Sequence, residues 1–289
     1  MTAALPTVIA EAGACDGDQR SHVSVLEEIL AAKRAELALV QESEARDTLR
    51  RAALGAPPTR DFAGALRRVD GRLAVVAEIK RRSPSKGDLA PNLDPTVTAK
   101  AYESGGAAAL SVLTDRIFFG GSVDDLQRAR AVVEIPVLRK DFTIDETQVY
   151  ETCVIGADAV LLIVAALSDD GLLASLRAVA DELGLASLFE VHDGAELDRA
   201  LAAGATLVGV NARDLGTFDE DLGVSEGLAA RIPSAVTAVA ESAIRTPDDA
   251  GRMADAGYDA VLVGEALARS DDPVALVQAM TEHQVRRRG

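Results

Sequence analysis

The chain is poor in aromatic and sulfur-containing residues. Of its 289 residues 3% are aromatic, and it contains no tryptophan, two cysteines and three histidines. The cysteines, Cys15 and Cys153, are too few for a disulfide framework, so we expect ordinary or buried thiols. The histidines His22, His192 and His283 are scattered and show no metal-ligand spacing. The sequence therefore predicts no metal centre, and we interpret His192 as a histidine of the core or rim.

Positive charge is also scarce relative to negative charge. The chain has 30 lysines and arginines against 46 aspartates and glutamates, a formal net charge of -16. A nucleic-acid partner needs clustered lysine and arginine to neutralise its phosphates, so we exclude that class of partner. A small phosphorylated substrate stays possible, because a few local donors can hold one phosphate.

Long apolar runs are missing, so we predict no membrane span and no membrane partner. The segment 12–15 (AGAC) resembles a lipoprotein cleavage site, but no positively charged region precedes it and Pro6 and Glu11 interrupt the apolar residues. We therefore predict a cytoplasmic protein. Residues 1–20 are expected to form a flexible lead-in, and 21–289 a single domain.

Apolar residues make up 48% of the chain and first follow a helical pattern. Between Val25 and about Ala53 they recur at helical spacing with charges between them, and Gly55 and Pro57 end the region. We predict extra N-terminal helices at about 24–55. An apolar helix placed before the first strand needs a surface to cover, so we expect it against one end of the domain.

Short apolar runs follow, each about one strand long. They are 73–79, 107–113, 135–139, 158–164, 185–191, 205–210, 236–240 and 259–263. Helix-start signals lie between them, such as Ser122 and the pair Thr246-Pro247. Continuous apolar strands that alternate with helices are typical of a parallel sheet covered on both faces.

An internal repeat favours a closed barrel. Gly106, Gly156, Gly204 and Gly257 each precede an even-numbered strand, at steps of about 50 residues. We predict that each glycine ends a helix in the left-handed conformation. The repeat unit is then two strand–helix modules, and four units make an α/β fold of the (β/α)₈ barrel type. An open doubly wound sheet is disfavoured, because no GxGxxG motif follows the first strand.

Charged residues collect at the ends of the predicted strands, where such a barrel has its active site. Glu78 and Lys80 end the first strand, Lys140 ends the third and Glu190 ends the fifth. Residues two apart in a strand share a face, so Glu78 and Lys80 point into the same mouth. Strand ends also simply meet solvent, but Glu78, Lys80 and Glu190 lie within apolar runs, where an unpaired charge is costly. We therefore predict an acid–base site there.

A phosphate site is expected near the last two strands. The residues that follow strands six to eight are Asn211, Glu241, Ser242, Ala243, Gly264 and Glu265. Backbone N–H groups at a helix start, together with the Ser242 hydroxyl, can hold a phosphate without a basic cluster. The polar segment 80–87 (KRRSPSKG) contains Pro and Gly, which predicts a shaped loop after the first strand.

The segment 78–87 (EIKRRSPSKG) resembles the signature of the indole-3-glycerol phosphate synthase family. Further motifs agree with it in order: LSVLT at 110–114, VLRKDF at 137–142, LLIV at 161–164, FEVH at 189–192, GVNARDL at 209–215 and VGEAL at 263–267. The resemblance extends from about Val25 to the end. It implies closure of the indole ring in tryptophan biosynthesis. 1-(2-Carboxyphenylamino)-1-deoxyribulose 5-phosphate loses carbon dioxide and water to give indole-3-glycerol phosphate, with no cofactor.

The resemblance also implies residue roles. Lys140 matches the general acid that protonates the ketone oxygen, Glu190 a base or acid of the dehydration, and Lys80 the lysine that holds the substrate carboxylate. Lys80 can itself donate a proton, so the division of steps between the lysines stays open. The other matched positions are Glu78 and Asn211 beside the lysines, Ser83, Arg213, Glu241, Ser242, Ala243, Gly264 and Glu265 around the substrate and its phosphate, and Phe119, Phe142 and Leu161 or Leu162 around the anthranilate ring. A lysine that releases its proton needs a lowered pKa, from burial or from the second lysine.

Ala243 departs from the family pattern. The usual Glu-Ser-Gly after the seventh strand reads Glu-Ser-Ala at 241–243. Glycine lets the backbone approach a phosphate closely or take a positive φ. We therefore expect a weaker phosphate grip and a raised KM, with the catalytic groups intact.

Alternative functions follow from the same fold. A sister barrel such as phosphoribosylanthranilate isomerase would need a Cys–Asp pair, and neither Cys15 nor Cys153 lies at a predicted strand end. An idle barrel kept as an assembly partner would be expected to lack Lys80, Lys140 or Glu190. An active duplicate in a secondary pathway stays open. We expect a monomer that can associate with other tryptophan-pathway enzymes.

Overall fold

The computed structural model describes residues 24–38, 43–67, 69–214 and 219–288. The predicted lead-in at 1–20, which includes Cys15, lies outside these ranges, and so does His22. No helix within the described ranges is long and apolar enough to cross a membrane.

Within the described ranges, eight parallel strands close into a barrel in chain order. They are β1 (Ala74–Ile79), β2 (Ala109–Leu113), β3 (Val137–Lys140), β4 (Ala159–Ile163), β5 (Ala186–Val191), β6 (Leu207–Asn211), β7 (Thr237–Glu241) and β8 (Ala260–Val263). Each strand pairs with the next, and β8 pairs with β1 through Ala74 and Ala260. The predicted (β/α)₈ barrel is confirmed.

The strand-end positions predicted for three site residues are confirmed. Lys140, Asn211 and Glu241 come directly after the apolar runs, and each is the last residue of its strand. Lys80 was expected at the end of the first strand but is the first residue after it. Lys140 is in register with Leu113 of β2, and Asn211 with Glu241 of the neighbouring strand. Because their backbones continue the ladder, these three side chains have fixed directions at the mouth.

The helices of the described ranges surround the barrel. They are α1 (Val25–Ala38), α2 (Ser43–Leu54), α3 (Phe62–Leu66), α4 (Pro95–Ser104), α5 (Val123–Arg130), α6 (Glu146–Val154), α7 (Asp170–Glu182), α8 (Gly194–Ala202), α9 (Leu222–Ala229), α10 (Pro247–Ala256), α11 (Glu265–Arg269) and α12 (Pro273–Thr281), with a 3₁₀ turn at Val164–Ala166. The predicted N-terminal helices are α1 and α2. Ser122 caps α5 through the Asp125 N–H, and Thr246 forms a capping box with Asp249 at α10.

The predicted glycine repeat is present in the backbone. Gly106, Gly156, Gly204 and Gly257 take φ angles of 91°, 86°, 82° and 99°. Each lies between a helix and an even-numbered strand. The left-handed turn that the repeat predicts is confirmed at all four positions, and it sets each even strand on its path into the barrel.

Alternation along the strands divides the core into two layers. Val75, Ala77 and Ile79 of β1 face the helices, whereas Ala74 and Val76 face the barrel interior. On the inside, Phe62 and Leu66 of α3 pack against the first residues of the strands. Since α3 closes that end, the interior opens at the carboxyl ends of the strands.

Helix α1 lies over this open end. Its Val25, Leu26 and Ile29 line the cavity there. Lys33, 4% exposed, places its ammonium nitrogen 3.0 Å from a carboxylate oxygen of Asp115 and 3.0 Å from one of Asp141. Burial lowers the pKa of Lys33, but the two carboxylates raise it by more. A buried ion pair thus fastens the predicted cover to the barrel.

Candidate active site

A cavity at the mouth of the barrel brings together all the residues that the sequence predicts for the site. They are Glu78, Lys80, Ser83, Phe119, Lys140, Phe142, Leu161, Glu190, Asn211, Arg213, Glu241, Ser242, Ala243, Gly264 and Glu265. Of the two leucines offered for the ring site, Leu161 lines the cavity, whereas Leu162 packs between the barrel and its helices.

The charged groups at the centre come from alternate strands. Glu78, Lys140, Glu190 and Glu241 lie on β1, β3, β5 and β7. In such barrels the inward side chains stack in layers of four, each contributed by alternate strands. The layer nearest the mouth on these odd-numbered strands therefore consists of three carboxylates around the Lys140 ammonium group.

Lys140 is the cation within this layer. Its ammonium nitrogen lies 2.5 Å from Glu190 Oε2 and 2.7 Å from Glu241 Oε2. Burial lowers the pKa of Lys140, but Glu190, Glu241 and Glu78 raise it by more, so the net pKa lies above that of a free lysine. The expectation of a lowered pKa is therefore wrong, because the neighbouring carboxylates outweigh the effect of burial.

Glu190 is held on both of its oxygens. Oε2 accepts from Lys140, and Oε1 accepts from the Asn211 amide nitrogen at 3.0 Å. His192 Nε2 lies 3.6 Å from the same Oε1. Burial works against ionisation of Glu190, yet Lys140 and His192 outweigh it, and the net effect lowers its pKa. The Glu190 carboxylate is therefore ionised and fixed in orientation.

Glu241 has the opposite electrostatics although it shares the same lysine. It is 2% exposed, and burial, opposed by Lys140 but reinforced by Glu190 and Glu78, raises its pKa. Gly209 on β6 makes room for it, since a Cβ at that position would collide with the carboxylate. Glu241 was expected around the substrate and its phosphate; it lines the cavity, and its carboxylate contacts the Lys140 ammonium.

Lys80 and Glu78 form a second ion pair at the end of β1. Both line the cavity, and the Lys80 side chain is 14% exposed. Gly264, after β8, is their close neighbour, because an added Cβ would strike the Glu78 carboxylate and approach Lys80 Nζ. Glycine is thus required at 264 for space rather than for its φ angle.

An apolar wall flanks the charged layer on the side of β2 to β4. Phe119 and Phe142 face each other with ring centroids 6.1 Å apart at 35°. Leu161 of β4 and Ile29 of α1 complete this wall. A planar aromatic ring fits such a surface, since offset and tilted ring contacts are favourable.

Open backbone donors lie on the opposite side, after β7 and β8. Ser242 and Ala243 take left-handed φ angles of 65° and 59°. Gly264 is the N-cap residue of α11, and no described side chain caps that helix. Uncapped N–H groups and the Ser242 hydroxyl are suitable donors for an anion.

The loop after β1 is fastened across the mouth. Arg213 donates to Ser85 Oγ at 2.7 Å and also pairs with Glu220. Glu220 accepts in addition from Arg245 at 2.5 Å. Ser83 in the same loop is buried, and its hydroxyl accepts from the Lys86 N–H at 3.2 Å. Glu220 and Arg245, which also line the cavity, were missed by the sequence analysis, because nothing in their local sequence marks them.

His192 was also missed as part of the site. It follows Glu190 at the same two-residue spacing as Lys80 follows Glu78, and that spacing could have indicated a shared face. Cys153 lies on α6 and contacts the Ala53 carbonyl at 3.5 Å, away from the strand ends, so among the described residues no cysteine supplies the thiol that the isomerase alternative needs. Within the described ranges, no three His, Cys, Asp or Glu side chains are grouped as metal ligands.

Solved structures of low identity share the fold. A thiamine phosphate pyrophosphorylase from Pyrococcus furiosus aligns with a TM-score of 0.55 at 16% identity, over 74% of this chain and 96% of that one. A 3-hexulose-6-phosphate synthase from Salmonella typhimurium aligns with a TM-score of 0.59 at 15% identity, over 73% and 97%. At such identities these likenesses show the barrel alone.

Sequence relatives are far more similar. An indole-3-glycerol phosphate synthase of Laribacter hongkongensis is 49% identical over 87% of this chain and 96% of its own length. Indole-3-glycerol phosphate synthase 1 of Streptomyces coelicolor is 48% identical over 92% and 99%. The indole-3-glycerol phosphate synthase family model matches residues 26–280. The chain therefore belongs to the indole-3-glycerol phosphate synthase family.

Proposed function

We propose that the mouth binds 1-(2-carboxyphenylamino)-1-deoxyribulose 5-phosphate across its full width. The family is that of carboxy-lyases which form indole-3-glycerol phosphate in tryptophan biosynthesis. Strands β3 and β7 lie on opposite sides of the eight-stranded barrel, and this placement supports the pose. The ring would rest on Phe119 and Phe142 after β2 and β3, and the phosphate on Ser242 and Gly264 after β7 and β8.

The reacting carbons would then lie over the charged layer. Binding of the distant phosphate and ring holds the two carbons together, which is a large part of the work in an intramolecular ring closure. Ser83, Arg213, Ala243 and Glu265 would border the substrate, with Glu265 offering its backbone N–H because its carboxylate pairs with Arg269 at 3.2 Å.

Lys140 is proposed as the acid of ring closure. The ring carbon that bears the carboxylate attacks the ketone carbon, and the electron pair of the C=O bond moves to oxygen. Lys140 donates its proton to that oxygen and leaves a hydroxyl group. A raised pKa is compatible with this role, because an alkoxide is far more basic than an amine.

Loss of carbon dioxide follows. The bond between the ring carbon and the carboxylate breaks, and its electron pair restores the aromatic ring. Lys80, oriented by its pair with Glu78, is proposed to hold the carboxylate until that step. The apolar wall around the ring keeps water away from the reacting carbon.

Dehydration is proposed to use Lys80 and Glu190. The hydroxyl leaves as water with a proton from Lys80, since Lys140 has already given its proton. Glu190, ionised and fixed by Asn211, takes the proton from the neighbouring carbon and completes the indole. Lys140 and Lys80 each donate one proton and Glu190 accepts one. The three steps therefore consume one proton, as the overall reaction does.

The test compares variants by indole fluorescence at saturating substrate. Lys140→Met, Lys80→Met and Glu190→Gln should each lower kcat by at least about 100-fold, the usual worth of one acid or base. Lys100→Met, an exposed residue of α4, is the matched control and should retain full activity. Wild-type rates in the Lys140 or Glu190 variant would refute the assigned roles.

We further infer a monomeric, cytoplasmic enzyme that can associate with other enzymes of its pathway. The inference rests on a barrel mouth to which this chain itself contributes every site residue that the proposed reaction uses, and on a family whose reaction belongs to a biosynthetic pathway. Light scattering on the purified chain tests it, with a mass of about 30 kDa expected from the 30.1 kDa sequence. A dimer mass would overturn the monomer.

A further inference from the structure

His192 lies immediately behind the proposed base. It is the first residue after β5, and Glu190 stands two positions before it on the same face. Its side chain is 14% exposed, and Nε2, which lies 3.6 Å from Glu190 Oε1, is buried with no hydrogen-bond partner among the described residues. His192 is not a wall of the cavity, so it reaches the reaction only through Glu190.

Glu196 fixes the orientation of this imidazole. One carboxylate oxygen of Glu196, in the first turn of α8, lies 2.8 Å from the His192 backbone N–H and 3.0 Å from Nδ1. A carboxylate accepts only, so Nδ1 has to bear the hydrogen. The free nitrogen Nε2 is thereby aimed at Glu190, and a second proton on it would point at that carboxylate.

The carboxylates beside His192 favour that second proton. Glu196 lies 3.0 Å from Nδ1, and Glu190 lies 3.6 Å from Nε2. The other charged groups of the central layer among the described residues are Glu78 and Glu241, which pair with Lys80 and Lys140. Burial opposes a cationic His192, but Glu196, Glu190 and Glu241 outweigh it and raise the pKa of His192.

We propose that His192, held by Glu196, is a positioning residue that keeps Glu190 ionised and aligned to take the carbon-bound proton. The proposal rests on the proposed role of Glu190. A protonated imidazole stabilises the neighbouring carboxylate, so loss of His192 makes Glu190 easier to protonate. Glu196 acts one step further out, by holding the imidazole in the tautomer that faces Glu190.

The direct test is a ¹H–¹³C NMR titration of the histidine ring protons in the full chain. The chain has three histidines, and His192→Asn and His283→Asn assign their signals. Glu190→Gln should lower the pKa of His192 by about one unit, and Glu196→Gln by a similar amount. A His192 titration that does not move in the Glu190→Gln variant overturns the proposal, whatever the role of Glu190 in turnover.

The kinetic test uses the pH dependence of kcat/KM. His192→Asn keeps an amide that can donate to Glu196 but has no nitrogen facing Glu190. It should move the acidic limb upward by about one pH unit and lower kcat by about tenfold, with KM within about twofold of wild type. His283 lies at the far end of the barrel, where its backbone carbonyl accepts from the Leu73 N–H. The matched control His283→Asn should therefore leave the pH profile unchanged.

The two failures are distinguishable. An unmoved acidic limb in His192→Asn, with a normal melting temperature, overturns the proposal for His192. Full activity of Glu190→Gln instead refutes the role of Glu190 as the base. The shift of the His192 pKa in that variant still shows whether the two side chains interact. If His192→Asn does not fold, the NMR comparison of wild type with Glu190→Gln decides, since His22→Asn and His283→Asn then assign the three histidine signals.

Discussion

The Lys140 ammonium lies 2.5 Å from the Glu190 carboxylate, so the proposed acid and the proposed base are direct partners before substrate binds. Each stabilises the charged form of the other, which raises the pKa of the lysine and lowers that of the carboxylate. Both therefore start the cycle in the state that their roles require: a protonated donor and an ionised acceptor. Substrate has to part them, and its phosphate and ring contacts supply the binding energy.

Ala243→Gly should relieve strain beside the proposed phosphate site. Ala243 has a φ of 59°, a conformation that costs a non-glycine residue about 1 kcal/mol and costs glycine nothing. We expect a lower KM with kcat within about twofold of wild type, and a free energy of unfolding that is equal or higher. Steady-state kinetics and urea unfolding measure these quantities.

Ala178→Gly is the matched control for Ala243→Gly. Ala178 is exposed within α7, where glycine should lower the free energy of unfolding by about 1 kcal/mol and leave KM unchanged. A KM that is unchanged or higher in Ala243→Gly would contradict the account of this position.

Glu241→Gln should change the pH dependence of stability. Burial raises the pKa of Glu241 to about 7, above its unfolded value. A carboxyl raised in this way contributes stability that is fully present below its unfolded pKa and is lost as pH rises through the folded pKa. The amide has no such loss. As pH rises from about 5 to about 8, the free energy of unfolding of the variant should therefore increase relative to that of wild type.

Urea unfolding at the two pH values measures the effect, with Glu282→Gln as the exposed control. A stability difference between wild type and Glu241→Gln that is the same at both pH values would mean that Glu241 is ionised throughout. The free energy of unfolding of Glu282→Gln should change with pH as that of wild type does.

Lys33→Met should loosen the cover of the active site. The substitution leaves the Asp115 and Asp141 carboxylates buried without their ammonium partner, which costs about 3 kcal/mol or more. KM should rise as well, because Ile29 on the same helix lines the cavity. The neighbouring exposed residue gives the control Arg34→Met, and equal unfolding midpoints in urea for the two variants would contradict the role of Lys33.

The sequence predicts the barrel well, because the information is local. Each strand is a short apolar run, and each of Gly106, Gly156, Gly204 and Gly257 marks a turn that only the left-handed conformation can make. The strand-end residues of the site follow from the same pattern, since parallel strands in a barrel share one mouth. Family motifs then add the chemistry.

The pairings within the site could not be predicted from the sequence. Glu241 meets Lys140 only because alternate strands form one layer in the closed barrel and because Gly209 leaves space for the carboxylate. The net direction of the Lys140 pKa follows from those contacts, so the sequence expectation was wrong. Lys33 escaped notice for the same reason, as its partners lie about 80 and 110 residues away along the chain.

Lys140 and Glu190 are proposed to act on different steps, and single-turnover rapid-quench kinetics separate those steps. Enzyme in excess is mixed with the substrate, quenched, and analysed for substrate, the hydroxyl-bearing indoline formed after carbon dioxide loss, and indole-3-glycerol phosphate. We expect unreacted substrate alone in Lys140→Met and accumulation of the indoline in Glu190→Gln. Accumulation of the indoline in the Lys140 variant, or its absence in a slowed Glu190 variant, would refute the proposed division of steps.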